Sequence, residues 1–464
     1  MKKYLLQNKL ASLVVLILSI VKTSFAIGNS LLLNQLVNFL TSRDVMHFWM
    51  LIAFQFGLYI VWSFLLPYFD YATENIAQKM NNSVRRDIVA SLAEMEVSEF
   101  NKKKSSEYVS WLTNDITMIS NEVFINFFDM VDMAVYVAFA AVTVFIYNSV
   151  LVVVMIVLAF AMLFVPRIFD KKLAKTVNDV STANENLTKV SSDYLTGFSL
   201  LFHHERLSLL KEKIAESYEI LRQKTMTNEK AQTVMATVLT LFSMLSQLAM
   251  SATAGYFVLR GDLTVGFVWT IGNLSGPFFN NLSSFTKFYA KVKANANLLD
   301  KFPKVAPRDV TSDYKFERQL VLENLAVVFD KKKISFPNLT FEHGKKYAIT
   351  GQSGVGKSTL LKILAGDLTD YEGNVLADDK VYSALSSADI HGNLTYVEQS
   401  SHLFNESAVD NITLGVLDPD RLATSLSQAQ AGDFSDKQIA ELSGGKRNGF
   451  HLRKGFTMPN RYSS

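Results

Sequence analysis

The stretch KKYAITGQSGVGKSTLLKIL, residues 345–364, decides how the carboxyl-terminal third of this chain is interpreted. Its pattern predicts a strand, a glycine-rich loop and a helix in that order. Residues 351–358 have the G-x-x-x-x-G-K-S spacing of a phosphate-binding loop. The glycines allow backbone N–H groups to converge on phosphate oxygens, and the following helix presents its positive end to the anion. The stretch therefore predicts a nucleotide-binding domain rather than a chance glycine-rich turn.

Two side chains of this loop have distinct predicted roles. We expect Lys357 to neutralise the β and γ phosphates and the Ser358 hydroxyl to ligate Mg²⁺. The residues expected to contact the nucleotide here are Gly351, Gln352, Ser353, Gly354, Val355, Gly356, Lys357, Ser358 and Thr359. The loop alone does not distinguish a transporter motor from a GTPase or a kinase.

The amino-terminal two thirds have the composition of a membrane domain. A bilayer-spanning helix needs roughly 20 mostly apolar residues. The stretch from 133 to 165 is broken by YNS at 147–149, so we interpret it as two spans joined by a tight loop. Six spans follow from the apolar stretches at residues 11–40, 47–69, 133–165, 234–259 and 265–282.

The first apolar stretch has a second interpretation, a cleaved signal peptide with Lys2 and Lys3 before it. Lys22 interrupts that stretch and hydrophobic sequence resumes at Ile27, which favours a span. The basic segments 102–104, 171–175 and 287–293 then fall on one side, which the positive-inside rule makes cytoplasmic.

The connections between spans two and three and between spans four and five each run to about 60 residues with helical periodicity. We expect helices that extend beyond the bilayer and end in bends able to touch another domain. Ionisable residues inside spans are costly and often functional. Asp129 and Asp132 share a helix face, and they could belong to a solvated helix end. The alternative hypothesis is that Lys22 and Asp132 face a polar translocation cavity.

Three features distinguish the nucleotide-binding domain further. Gln399 lies in YVEQSSHLFNESAVDNITLG, residues 396–415, which resembles the Q-loop of ATP-binding-cassette (ABC) proteins. LSGGK, residues 442–446, resembles their signature LSGGQ. Phe329 stands where the family carries an adenine-stacking aromatic, although it could equally be a core residue. Together with six spans, these motifs identify a resemblance to the ABC exporter half-transporters.

The resemblance implies an all-α polytopic membrane domain of exporter type followed by an α/β phosphate-loop domain. We expect the membrane domain over residues 1–300, a linker over 301–318 and a partial cassette domain over 319–464. The segments 100–116 and 255–269 look like the first coupling region and the turn between spans five and six. The cofactors implied are ATP and Mg²⁺, in a multi-pass protein of the cytoplasmic membrane with its cassette in the cytoplasm.

In such half-transporters two cassettes enclose ATP between them, so the resemblance implies a homodimer or a heterodimer in contact with membrane lipid. Ser443, Gly444 and Gly445 would contact the γ-phosphate across the interface, and Gln399 would sense Mg²⁺ and the attacking water. The formal net charge of +3 and the absence of a basic run with interleaved aromatics do not indicate nucleic acid. With no cysteine in the chain, disulfides and thiol catalysis are excluded.

The sequence after the signature departs from the family pattern. The family continues with a helix, an Asp-Glu pair that serves Mg²⁺ and water, and a switch histidine, whereas this sequence has no acidic residue after Glu441. We therefore expect a cassette truncated after its signature, without confident catalytic residues. A reading-frame slip is one explanation, because the codons of residues 453–457 read one base later can encode Ala-Arg-Ala-Leu. Natural divergence to a short tail is the other.

Three functions remain open from the sequence. The first is a subunit of an ATP-driven exporter, in which turnover by this chain alone is doubtful. The second is a hydrolysis-deficient partner in a heterodimeric transporter, and the third is a frameshifted, non-functional remnant. The transported substrate cannot be read from mixed aromatic and aliphatic spans, because a fold does not fix its cargo.

Overall fold

The computed structural model describes residues 1–303, 314–329, 332–394, 396–397, 402–413, 422–424, 427 and 438. Contacts within the chain divide it into two units. The first contains Met1–Ile88 and Val109–Pro303, and the second contains Val89–Tyr108 and Lys304–Ser464. A short segment from the amino-terminal part of the chain therefore belongs with the nucleotide-binding sequence.

Long helices make up most of residues 1–303. The first five that follow are long and apolar enough to cross a membrane. The sixth occupies the last predicted span, but asparagines and glycines interrupt its apolar run, so the count of six spans stays a prediction. The helices are α1 Lys9–Thr41, α2 Val45–Ala93, α3 Ser105–Tyr147, α4 Ser149–Thr196, α5 Leu207–Leu259 and α6 Val265–Asn295.

The predicted break near residue 148 is confirmed. Asn148 has an extended backbone, and its side-chain oxygen accepts hydrogen bonds from the N–H groups of Val150 at 2.9 Å and Leu151 at 3.3 Å. Such a cap satisfies donors that the first turn of a helix leaves unpaired. Asn148 therefore ends α3 and begins α4.

The predicted long helical connections are also confirmed. Helices α2, α4 and α5 have 49, 48 and 53 residues, well beyond the roughly 20 that a bilayer needs. The short helix Phe198–His203 joins α4 to α5. Helix α3 contains two π-helical turns, at Trp111–Asp115 and Ser120–Ile125, where one extra residue is accommodated per turn.

Helix α6 packs against α1, α3 and α5, while α4 runs along α5. The approach to α1 is close at Gly266, where a Cβ atom would lie 2.3 Å from the carbonyl oxygen of Asn34. One turn further along, the Thr270 hydroxyl donates to the Ser30 carbonyl oxygen at 3.0 Å. Buried side chains fill the space between the helices, among them Met155, Met250, Phe267, Ile271, Phe278 and Phe279.

The second unit contains a small antiparallel sheet. Strand β1 is its hub, since β2, β3 and β4 all pair with it, and β5 extends β4. The strands are β1 Gln319–Phe329, β2 Lys332–Ser335, β3 Leu339–Glu342, β4 Glu372–Ala377 and β5 Lys380–Val381. The helices are α7 Lys357–Leu364, α8 Ser387–Asn393 and α9 Ala408–Thr413.

One predicted element does not form. The segment at residues 345–350 was expected to be a strand before the loop, but it pairs with no strand in the described part of the chain. Tyr347 and Ile349 are 49% and 36% exposed. A strand is stabilised by ladder partners and by burial, and this segment has neither among the described residues. The prediction of a strand here was wrong for this structure.

Candidate functional site

The phosphate loop leads directly into helix α7. Gly356, the residue before the helix, has φ of +102°, in the left-handed region that glycine adopts without strain. A Cβ atom there would lie 3.0 Å from Ile334 Cγ2 and 3.2 Å from a ring carbon of Phe336. Backbone conformation and close contact therefore both favour glycine at the last position of the loop.

Helix α7 is anchored on the sheet by one face. Leu360, Ile363 and Leu364 are buried, at the i, i+3 and i+4 spacing of a single helix face. They pack in one cluster with Leu322 of β1 and Val375 of β4. The core of the second unit thus fixes the helix end to which the loop is attached.

Lys357 reaches back over the loop. Its ammonium donates hydrogen bonds to the carbonyl oxygens of Gly351 and Gln352, both at 2.8 Å. These acceptors are neutral, and no carboxylate of the described residues pairs with the Lys357 ammonium. A lysine in this position, beside the N–H groups of a helix start, can bind the oxygens of a phosphate chain.

The rest of the loop is open to solvent. Ser353, Gly354 and Ser358 are exposed, and Thr359 is partly buried in the first turn of α7. The Ser358 hydroxyl follows Lys357 directly, so a hydroxyl ligand for Mg²⁺ and a cation for phosphate lie at one helix end. The residues present fit a magnesium–nucleotide complex, in which the metal supplies charge for phosphate oxygens.

Several predicted site residues cannot be placed. Gln399, Ser443, Gly444 and Gly445 lie outside the described residues. The backbone of Phe329 forms the last residue of β1, opposite Lys332, and its stacking role stays a prediction.

The bend between α2 and α3 belongs to the same unit as the phosphate loop. The hydroxyl of Ser387, the first residue of α8, donates to the carboxylate of Glu96 in this bend. Helix α8 starts with a capping box of Ser386 and Asp389, which holds Ser387 in place. Glu96 lies outside the predicted coupling region 100–116, and its contact with Ser387 was not predicted; the expectation that the two bends touch another domain stays a prediction. The S-x-x-D spacing of the capping box was the available signal.

The bend is itself ordered by aromatic contact. The ring of Tyr108 stacks on that of Phe100 with centroids 4.5 Å apart. The Tyr108 hydroxyl donates to the carbonyl oxygen of Phe100 at 3.0 Å. These contacts join the end of the short helix Val97–Phe100 to the first turn of α3.

A second candidate site lies among α1, α2, α3 and α6. These helices enclose a cavity of about 430 Å³ that is lined by Lys22 and Asp132, among others. The two form an ion pair, with 2.5 Å between Lys22 Nζ and Asp132 Oδ2. Both residues line this cavity, whose lining is mostly apolar, and the hypothesis of a polar translocation cavity stays a prediction.

Comparison with known proteins decides the family. The profile described as ABC transporter transmembrane region matches residues 12–282, which is more than half of the chain. The profile described as ABC transporter matches residues 335–459, which include the phosphate loop. The chain belongs to the ABC transporter family. Its fold is accordingly a helical membrane domain followed by an ABC nucleotide-binding domain.

This ABC transporter has relatives with export functions in their names. An export ATP-binding/permease protein of Rickettsia bellii (strain RML369-C) is 24% identical over 428 residues, covering 86% of this chain and 73% of the relative. An ATP-dependent lipid A-core flippase of Bordetella avium (strain 197N) is 23% identical, covering 82% of this chain and 68% of the relative. The chain spans about two thirds of the length of several curated relatives that it matches.

A solved structure shares the fold of this ABC transporter. It is described as a bacterial Atm1-family ABC exporter with ATP bound. The TM-score is 0.79, and the match covers 98% of this chain and 84% of that chain at 16% sequence identity. Similarity at this identity supports the exporter-type fold and says nothing about cargo.

Proposed function

We propose that this chain is the nucleotide-binding subunit of an exporter in the cytoplasmic membrane, with its cassette on the cytoplasmic side. ATP and Mg²⁺ would bind at the phosphate loop, and the cavity among α1, α2, α3 and α6 would hold the cargo. The observation that carries the proposal is the bend between α2 and α3, which is part of the nucleotide-binding unit.

The loop supplies the chemistry for binding. Mg²⁺ with ATP provides a triphosphate whose charge the protein must stabilise. Lys357 and the N–H groups at the start of α7 hold the phosphate oxygens, and Ser358 contributes a hydroxyl to the metal. Among the described residues Lys357 is bonded to neutral carbonyl oxygens, so phosphate binding displaces no carboxylate of this part of the chain.

The bend supplies a physical route for coupling. Residues 89–108 include the last turn of α2 and the first turn of α3. A ligand can shift an equilibrium only by as much as its affinity differs between the two states. Glu96, held by Ser387 of α8, is positioned to make the membrane helices respond to the state of the nucleotide-binding unit.

The functional assembly would be a dimer. We propose that Ser443, Gly444 and Gly445 of one subunit complete the nucleotide site of the other, and that Gln399 senses Mg²⁺ and the attacking water. Both a homodimer and a heterodimer satisfy this arrangement. Mixing two tagged forms of the chain and testing whether they co-purify distinguishes self-association from the need for a second kind of subunit.

Binding of ATP to the purified full chain in lipid nanodiscs tests the loop. We expect Lys357→Ala to weaken binding by roughly 10- to 100-fold, because it removes a charge-assisted contact to phosphate. Lys362→Ala is the matched control, since Lys362 is exposed in the last turn of the same helix. Equal affinities for wild type and Lys357→Ala would overturn the proposed binding site.

Coupling is tested through Glu96. Trp62 lines the cavity, and replacing Trp49, Trp111 and Trp269 with Phe leaves it as the single tryptophan reporter. We expect Glu96→Ala to abolish the change in Trp62 fluorescence on ATP addition while ATP affinity stays the same. Glu99→Ala, an exposed carboxylate in the same bend, is the control. A full fluorescence response in Glu96→Ala would contradict the role of the bend.

ATP turnover is a separate property. The expectation that this chain alone does not hydrolyse ATP concerns residues after Glu441, outside the described residues, and it stays a prediction. Phosphate release by the purified chain measures it directly, with Lys357→Ala as the blank.

A further inference from the structure

Polar groups line one end of the cavity in the membrane unit. Ser19 donates to Asp132 Oδ1 at 2.7 Å, while Lys22 Nζ lies 2.5 Å from Asp132 Oδ2. The same ammonium lies 3.9 Å from the ring centroid of Phe69. Lys22 and Asp132 are 18% and 19% exposed, so each still presents surface to the cavity.

This pair is a dipole with no net charge of its own, and Asp129 adds a carboxyl group that interacts electrostatically with both members. Leaving one member of a buried ion pair without its partner is strongly destabilising. A ligand with a single charge would bind one member and leave the other without a counter-charge. A ligand that carries both signs avoids that penalty, because its acidic group binds Lys22 and its ammonium binds Asp132.

The remaining wall suits an apolar body with a few polar atoms. Trp62 stacks on Phe25 with ring centroids 5.9 Å apart. Asn29 donates to the Tyr59 hydroxyl at 3.1 Å. All four residues line the cavity, so aromatic surface and hydrogen-bonding groups face the same space.

We propose that this cavity binds a zwitterionic group carried on an apolar body, with the ion pair between Lys22 and Asp132 opening to receive it. The inference rests on the proposed export function and gives its cargo a chemical class. An apolar peptide and a zwitterionic lipid headgroup share this chemistry. The acidic group of the ligand takes the place of Asp132 beside Lys22, and its ammonium takes the place of Lys22 beside Asp132, so no covalent bond is made or broken.

Four forms of one dipeptide test the charge requirement with the apolar body unchanged. Phe-Phe is zwitterionic, N-acetyl-Phe-Phe is an anion, Phe-Phe methyl ester is a cation, and N-acetyl-Phe-Phe methyl ester is neutral. Each is titrated against the full chain in nanodiscs without nucleotide, and Trp62 fluorescence is followed. Loss of the signal in Trp62→Phe assigns it to the cavity.

We expect the zwitterion to bind at least tenfold more tightly than either singly charged form. In Lys22→Met/Asp132→Leu that preference should disappear. In the exchanged variant Lys22→Asp/Asp132→Lys it should persist, because a zwitterion can bind in the reverse sense. Equal binding of the four forms, or an unchanged preference in Lys22→Met/Asp132→Leu, would show that the pair merely ties α1 to α3.

A matched control removes another ion pair of the membrane unit. Lys291 Nζ lies 3.0 Å from Glu122 Oε2, and neither residue lines this cavity. Lys291→Met/Glu122→Gln should keep the wild-type order of affinities. Loss of the order in this variant would contradict the assignment to Lys22 and Asp132.

A second set of ligands, two short-chain lipids, distinguishes the two possible sources of the zwitterion. Dihexanoyl phosphatidylethanolamine replaces the dipeptide, with dihexanoyl phosphatidylglycerol as its anionic counterpart. Preference for the ethanolamine lipid alone assigns a headgroup, and preference for the dipeptide alone assigns a peptide-like cargo. Failure of every zwitterion to bind while ATP still binds overturns this inference and leaves the proposed nucleotide-driven function standing.

Discussion

The two candidate sites each place a lysine ammonium against oxygen atoms of the protein, but the oxygens differ. In the membrane unit, Lys22 is paired with the carboxylate of Asp132. In the phosphate loop, Lys357 is bonded to the neutral carbonyl oxygens of Gly351 and Gln352. The first lysine is neutralised because it lies among apolar helices. The second keeps its whole charge for an anion because it lies at an exposed surface.

The largest expected effect on stability is that of removing the Lys22 ammonium, and removal of the Lys357 ammonium is the comparison. Lys22→Met leaves Asp132 without its counter-charge and should lower the free energy of unfolding by about 3–5 kcal/mol. Lys357→Met leaves solvated carbonyl oxygens and should change it by less than about 0.5 kcal/mol. Thermal unfolding of the full chain in nanodiscs, followed by loss of the soluble peak, measures both.

The double variant Lys22→Met/Asp132→Leu sharpens this result. Replacing both members by apolar residues removes the unpaired charge, so most of the lost stability should return. Equal melting temperatures for Lys22→Met and the double variant would mean that the carboxylate finds another partner. Equal losses for Lys22→Met and Lys357→Met would remove the difference between the two sites.

The second prediction concerns the loop backbone. Gly356→Ala combines φ of +102° with a contact to Ile334, and should cost about 1–3 kcal/mol. Gly354→Ala is the control, since φ there is +82° but no atom lies within 4 Å, and about 1 kcal/mol is expected. Hydrogen exchange at the amides of α7 measures the difference. Equal protection in the two variants would show that backbone strain alone matters.

The third prediction extends the comparison to acids. Burial alone would raise the pKa of Asp378, but hydrogen bonds from the backbone N–H groups of Glu317, Arg318 and Gln319 hold it below its usual value. A carboxyl with a lowered pKa contributes stability above its ordinary pKa and loses that contribution as the pH falls through the lowered pKa. Asp378 should therefore stabilise β1 at neutral pH and stop doing so in acid.

Asp378→Asn checks that expectation. It should cost about 1 kcal/mol or less at neutral pH, because the group is partly solvated, and it should flatten the acid dependence of β1 protection. Proteolysis or hydrogen exchange between pH 6 and pH 2 measures the protection of β1. Asp379→Asn is the neighbouring control, since Asp379 is strongly exposed. An acid dependence that is the same in both variants would contradict the assignment.

The smallest expected effect is that of salt. Raising ionic strength from 0.05 M to 0.5 M should weaken ATP binding by roughly threefold, because the charge of Lys357 is screened by mobile ions. The melting temperature of the membrane unit should change little, because the pair of Lys22 and Asp132 is mostly buried and buried pairs are screened less than exposed ones. An ATP affinity that does not depend on salt would mean that the phosphate is bound at a more buried position than this exposed loop.

Local sequence predicted much of the membrane unit. Apolar length indicated α1 to α5, and YNS indicated the break that Asn148 makes. Lys22 and Asp132, which are 110 residues apart, were predicted to face one cavity because ionisable residues inside spans are costly and often functional, but their ion pair was not predicted. The involvement of Ser19 and Phe69 was not predicted, because serine and phenylalanine are common in spans and carry no pattern of their own.

The nucleotide-binding unit was predicted less completely. The loop and α7 were found, since glycine spacing and helix periodicity are local features. The expected strand at residues 345–350 failed because a strand depends on partners far away in sequence, and Tyr347 shows no such partner in the described chain. The hydrogen bond between Ser387 and Glu96 was missed for the same reason, as these residues are 291 positions apart.

The neutrality of the Lys22 and Asp132 pair has an electrical consequence. Moving one elementary charge through a membrane potential of 100 mV involves roughly 2.3 kcal/mol of work. A helix rearrangement that carries both members together moves no net charge, so voltage neither drives nor opposes it. A zwitterionic cargo would also cross the membrane without moving net charge. Export by this route should therefore proceed at one rate in polarised and depolarised vesicles.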